Sequence, residues 1–123
     1  MLRIYFVEDS LIIRENLMET LAELADAVSV GFSETEQEAK AWLTAHIHDW
    51  DVAIVDLFLR QGIGIEVVAA LCHRPADQKV VVLSNYLSPE VRERCARLGA
   101  DKIFDKTNEI EALIQFCKAL APM

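Results

Sequence analysis

Two adjacent acids, Glu8 and Asp9, end the apolar run in "LRIYFVEDSLIIREN" (residues 2–16). A third acid, Asp56, ends "DVAIVD", a hydroxyl, Ser84, ends "KVVVLS", and Asp105 and Lys106 finish "DKIFDK". Carboxylates gathered in one place raise one another's pKa unless a cation compensates. Mg²⁺ is the natural partner, because this hard ion takes one or two carboxylates together with waters and a phosphate oxygen. Lys106 would bring a second positive charge, and Ser84 a hydroxyl able to donate to a phosphate oxygen. Taken singly, each acid reads as a turn former or a helix cap. The chemistry requires that they meet.

The elements that carry these residues can make them meet. Short apolar runs at 2–7, 27–32, 51–57, 79–84 and 101–104 alternate with stretches whose apolar residues recur three and four apart. The first, third and fourth runs are nearly continuous in Val, Ile and Leu, which suits strands covered on both faces in the middle of a parallel sheet. Between the runs, Ile13, Leu17, Leu21 and Leu24 line one helical face, and Ala39, Leu43 and Ile47 a second. Val68 and Leu71 mark a third, Val91, Cys95 and Leu98 a fourth, and Ile110, Leu113, Ile114, Cys117 and Leu120 a fifth. Ser10, Ser33 and Ser88 are expected as caps, Pro89 opens the fourth helix, and Gly99 stops it. This (βα)₅ order predicts right-handed crossovers and a doubly wound α/β sheet in one domain over residues 1–123. In such sheets ligands bind at the carboxyl ends of the strands, where Glu8, Asp9, Asp56, Ser84 and Lys106 all fall.

Composition narrows the functions. A formal charge of −8 argues against a broad nucleic-acid surface and favours attraction of cations. No apolar run approaches the roughly 18 to 20 residues that span a bilayer, and the N-terminus has no secretion signal. Cys72, Cys95 and Cys117 lack metal-ligand spacing and read as inert core thiols of a cytoplasmic protein. His46, His48 and His73 read as solvated, and Trp42 and Trp50 as packing residues. The acidic stretch "SETEQEAK" (33–40) is the start of a helix, where acids complement the dipole.

The pieces "VEDS" (7–10), "DVAIVDLFL" (51–59), "VVVLSNY" (80–86) and "LGADKIFDK" (98–106), in this order and spacing, resemble the receiver domain of the two-component response-regulator family along essentially the whole chain. The resemblance implies a flavodoxin-like five-stranded sheet in the order 2-1-3-4-5. It implies that Asp56 accepts a phosphoryl group from a sensor histidine kinase or phosphotransfer protein. Glu8, Asp9, Asp56 and the backbone carbonyl of Phe58 would hold Mg²⁺, and Lys106 and Ser84 would bind the phosphoryl oxygens. Ser84 and Phe104 occupy the switch positions, although Phe104 reads equally well as an ordinary core phenylalanine. The implied output runs through the face made by the fourth helix, fifth strand and fifth helix to a downstream protein target, an output domain or a phosphorylation-dependent dimer. Such a chain is no enzyme in the usual sense, acting only on its own aspartyl phosphate.

Four features depart from the commonest family pattern. Thr107 and Arg60 stand where proline is frequent, Asn85 stands where Ala or Gly is usual, and Phe58 and Tyr86 flank the site with aromatic bulk. Thr107 leaves two expectations open, a trans bond with a reshaped loop or a cis bond costing about 2.5–4 kcal/mol. A phosphorylation-independent binding module of the same fold is the alternative function. A flavin site would want a Ser/Thr/Gly-rich loop after the first strand, and an aspartyl phosphatase a second Asp at position 58. Neither is present.

Overall fold

All five expected strands form in the computed structural model, which describes residues 1–120; residues 121–123, the end of the expected domain, lie outside these. The order is β1 (Leu2–Val7), α1 (Leu11–Ala25), β2 (Ala27–Ser33), α2 (Glu36–Ala45), β3 (Val52–Val55), α3 (Gly64–Ala70), β4 (Lys79–Ser84), α4 (Pro89–Arg97), β5 (Lys102–Asp105) and α5 (Ile110–Leu120). The strands pair in parallel in the order β2-β1-β3-β4-β5, as expected.

The continuous apolar runs are explained by burial on both faces. In β1, Ile4 and Phe6 enter the core under α1 and α5, while Tyr5 and Val7 enter the one under α2, α3 and α4. In β3, Val52 and Ile54 face the first core, and Ala53 and Val55 the second. Trp50 is fully buried and donates its indole N–H to the Leu43 carbonyl (3.2 Å). Trp42 stacks between Tyr5 and His46, with ring centroids 4.3 Å apart on each side. All three histidines are exposed, as expected.

β2 is an edge strand and carries an irregularity. Ile4 pairs with Ser29 and Tyr5 with Gly31, so Val30 is an extra residue. Gly31 (φ +154°) crosses the Tyr5 ring, and a Cβ there would meet the ring edge at 3.0 Å.

Three expectations are corrected. Ser33 caps no helix: it remains the last residue of β2, its hydroxyl bonded to the Tyr5 hydroxyl, and α2 starts later with Thr35 as its cap. Thr35 accepts the Glu38 N–H (3.2 Å) while its hydroxyl donates to the Glu38 carboxylate (3.0 Å), the S/T-x-x-E arrangement that suits a helix start. Leu24 is exposed because Ala25, four residues after Leu21, takes the buried position. Cys72 is exposed in the turn following α3, whereas Cys95 and Cys117 are buried. Ser10, Ser88 and Pro89 act as expected, and Gly99 (φ +99°) follows the end of α4.

The thiols therefore differ in reactivity. Burial raises Cys95 and pushes Cys117 up to about 12, leaving neither with an accessible thiolate. A maleimide at about pH 8 should label Cys72 alone in the folded chain and all three cysteines in denaturant, as read by intact mass. Labelling of Cys117 without unfolding would contradict this packing.

Candidate functional site

The parallel ladder extends just past the strands and fixes the first polar residues. The Glu8 N–H donates to Ser33 O (3.0 Å), the Asp56 N–H to Val7 O (2.9 Å) and the Lys106 N–H to Ser84 O (3.1 Å). These bonds leave the side chains projecting from one rim.

Glu8, Asp9 and Asp56 each bring a carboxylate oxygen to within 4.8 Å of the others. The Lys106 ammonium reaches Glu8 Oε1 (2.5 Å) and Asp56 Oδ2 (2.9 Å). The Ser84 hydroxyl, completely buried, donates to Asp56 Oδ1 (2.8 Å), and the Phe58 N–H donates to the same oxygen (3.1 Å). Glu8 Oε2 accepts the Ser10 N–H (3.0 Å). Every residue assigned a role by side-chain chemistry thus lies in one cluster, and Phe58 belongs to the loop directly after Asp56.

Three carboxylates face one ammonium there, an excess of two negative charges. Burial dominates at Glu8 and raises its pKa, although Lys106 and the Ser10 N–H oppose the shift. Burial also works against the charge on Lys106, but hydrogen bonds and attraction from Asp56 and Glu8 outweigh it and raise the pKa. A hard oxygen donor set with surplus charge of −2 fits one divalent cation.

The departures from the family pattern have structural counterparts. All peptide bonds among the described residues are trans, so of the two alternatives for Lys106–Thr107 the bond is trans. The Thr107 N–H, which proline would lack, donates to Asp105 Oδ1 (2.6 Å), and the Asn108 N–H donates there too (3.1 Å). The Thr107 hydroxyl donates to Asn85 Oδ1 (3.2 Å), so two of the unusual residues pair across the rim. The Arg60 N–H, likewise impossible for proline, donates to Asp9 Oδ2 (2.7 Å). Phe58 and Tyr86 meet edge to face (6.5 Å), with Tyr86 87% exposed and left-handed (φ +55°).

Two contributors escape a sequence reading. Arg14 is buried in α1, donates to the Glu8 carbonyl (2.8 Å), pairs with Glu34 (3.3 Å) and stacks on Phe32 (3.8 Å). Glu36, at the start of α2, accepts the Ile63 N–H (2.9 Å) and pairs with Lys40 (2.9 Å). Arg14 falls three residues before Leu17 and seven before Leu21, on the buried face of α1, a spacing that could have flagged it. Glu36 offers no local signal.

This fold, with its strand-end cluster of acids, is that of a receiver module, and comparison with known proteins agrees: the model of the response regulator receiver domain matches residues 4–118, and the chain belongs to that family. It is 32% identical over 104 residues to the photosynthetic apparatus regulatory protein RegA of Rhodobacter capsulatus, covering 81% of this chain and 51% of RegA. It is 31% identical over 100 residues to the DNA-binding transcriptional activator DevR/DosR of Mycobacterium tuberculosis, covering 81% of this chain and 45% of that protein. The chain thus spans about half the length of the curated relatives it matches. Among solved structures, the phosphorylated cyanobacterial phytochrome response regulator RcpA superposes with a TM-score of 0.76 at 25% identity, over 96% of this chain and 89% of RcpA. No described helix is long and apolar enough to cross a membrane.

The raised Glu8 pKa gives a signed prediction. An acid whose folded pKa lies above its unfolded value costs stability once it ionises, and the cost grows as pH rises through the interval between the two. In the absence of divalent cations, a Glu8→Gln variant should gain stability relative to wild type as pH rises from the ordinary value of 4.5 through the raised folded value. Urea midpoints across that range test it. A variant less stable at neutral than at acid pH, relative to wild type, would refute the electrostatic account.

Proposed function

We propose that the chain is a two-component receiver in which Asp56 accepts a phosphoryl group from the phosphohistidine of a sensor histidine kinase or phosphotransfer protein. The observation that carries this reading is the Asp56 carboxylate itself, buried yet gripped by Ser84, the Phe58 N–H and Lys106 beside two further acids. Asp56 Oδ1 is committed to two donors and Oδ2 only to Lys106. The nucleophile is therefore best drawn at Oδ2: its O–P bond forms as the P–N bond breaks, and the electron pair returns to the imidazole nitrogen. Phosphoryl transfer asks mainly for positioning and charge neutralisation.

Glu8, Asp9, Asp56 and the Phe58 carbonyl are the proposed Mg²⁺ ligands, and the bound ion would neutralise charge on the phosphoryl oxygens. Lys106, already desolvated, exchanges Asp56 Oδ2 for a phosphoryl oxygen. Ser84 turns its hydroxyl from Asp56 toward another. The module acts on no separate substrate, and its modified aspartate is the product.

The switch follows from where those two residues sit. Ser84 leads into the loop before α4, and Lys106 follows β5. Arg92 of α4 already links this face by donating to the Ile103 carbonyl (3.4 Å) and pairing with Glu109 (3.2 Å). Phe104 is buried edge to face with Phe116 of α5 (6.3 Å), so it serves as core packing, and the change passes chiefly through the loops. The α4–β5–α5 face then presents the signal to a protein target or an output domain. That RegA is a regulatory protein of the photosynthetic apparatus and DevR/DosR a DNA-binding transcriptional activator supports an output of gene control.

Incubation with Mg²⁺ and acetyl phosphate should add one phosphoryl group by intact mass, and Asp56→Asn should abolish it. Normal labelling of that variant removes the assignment. With beryllofluoride as the phosphoryl mimic, amide exchange should change mainly across residues 84–112. Changes confined to the loops around Asp9 and Asp56 would overturn the output face.

A further inference from the structure

We propose that Glu36, on the first turn of α2, is a positioning residue for the cation site, acting through the loop between β3 and α3. The inference rests on the metal-site reading above and extends it to a side chain outside the acid cluster. The loop after Asp56 is held at two of its backbone N–H groups, Arg60 and Ile63, by two carboxylates. Asp9 Oδ2 accepts the Arg60 N–H (2.7 Å). Glu36 Oε1 accepts the Ile63 N–H (2.9 Å), while the Glu36 N–H donates to the Gln61 carbonyl (3.1 Å).

The grip is stiff at each joint. Thr35 and Gln61 form an isolated parallel bridge, and Phe58 and Ile63 an antiparallel one that closes the loop on itself. The Gly64 N–H returns to the Leu57 carbonyl (2.9 Å), with no room for a Cβ at position 64, which would lie 2.0 Å from the Asp56 carbonyl oxygen. Gly62 (φ +88°) packs so tightly that an added Cβ would lie 2.3 Å from the Glu36 Cβ. Lys40, one turn along α2, pairs with Glu36 Oε2 (2.9 Å) and fixes the carboxylate that holds the loop.

The consequence is a mechanical line from α2 to Asp9. With Ile63 and Gln61 held, the Arg60 N–H is presented to Asp9 Oδ2, which sets the carboxylate's orientation and leaves Oδ1 for a cation. Hydrogen bonds of this kind orient metal ligands, and losing one typically costs about 10–100-fold in affinity. The Arg60 guanidinium contributes little here, being 4.0 Å from Asp9 and 85% exposed. The same loop carries Phe58, whose carbonyl is a proposed ligand.

The test uses Glu36→Ala and Glu36→Gln, with Mg²⁺ affinity from calorimetry and amide hydrogen exchange without the metal. Glu36→Ala should speed exchange at both Ile63 and Arg60 and weaken Mg²⁺ about tenfold. Glu36→Gln keeps an acceptor oxygen and should restore most of both. Urea midpoints establish that the variants are folded at the assay temperature. If Ile63 exchanges faster while Arg60 protection and Mg²⁺ affinity stay at wild-type values, Glu36 merely packs, and the proposal is overturned. Absence of Mg²⁺ binding by the wild type overturns the metal-site reading instead. In that event the Arg60 exchange rate still decides whether Glu36 controls the Asp9 contact.

Discussion

A single buried ammonium holds together what the strand ends would otherwise push apart. Lys106, on the loop after β5, bonds to Glu8 from β1 and Asp56 from β3, so it ties an edge of the sheet to its centre. All three groups are at least nine-tenths withdrawn from water. Without that cation, two carboxylates would face each other in a poorly solvated site, a costly arrangement. β4 lies between β3 and β5 and supplies Ser84, which satisfies the remaining side of Asp56. The strand order and the charge cluster are therefore mutually dependent, because only this order brings these particular strand ends side by side.

The cluster is incompletely neutralised, and this divides the roles of stability and function. Burial dominates the environment of Glu8, while Lys106 is kept charged by the very acids that crowd it. A protein selected only for stability would gain by removing one of the acids. The presence of all three makes sense where a visiting divalent cation completes the charge balance. The empty charge capacity is thus a binding property stored in the folded chain.

Much of this was legible in the residues because parallel strands buried on both faces leave an unmistakable apolar run, and the first polar residue after each run must sit at the rim. What escaped notice depended on contacts between distant segments. Ser33 has the chemistry of a helix cap, but Tyr5 claims its hydroxyl from the neighbouring strand, and Thr35 caps instead. Leu24 fits the helical spacing, yet Ala25 sits better against the sheet. Cys72 looked like a helix-interior thiol because the end of α3 carries no glycine or proline signal; the helix stops at Ala70 and leaves it outside. Most instructive are Arg60 and Thr107. Read from sequence they are missing prolines, whereas in three dimensions each contributes an N–H to an acid, Asp9 and Asp105 respectively. An absence in the pattern became a donor in the structure.

The extra residue in β2 matters for how these molecules coexist at high concentration. An edge strand offers a free row of backbone donors and acceptors, the template on which a second chain can extend the sheet. In β2 the extra residue Val30 and the positive φ of Gly31 interrupt that row midway, so a straight strand from another molecule finds no continuous register. Its outward Val28 and Phe32 therefore sit on a backbone that resists lateral addition. The opposite edge, β5, is only four residues long and flanked by charge at Lys102 and Asp105. Both borders of the sheet are thus poor templates for a strand from a second chain.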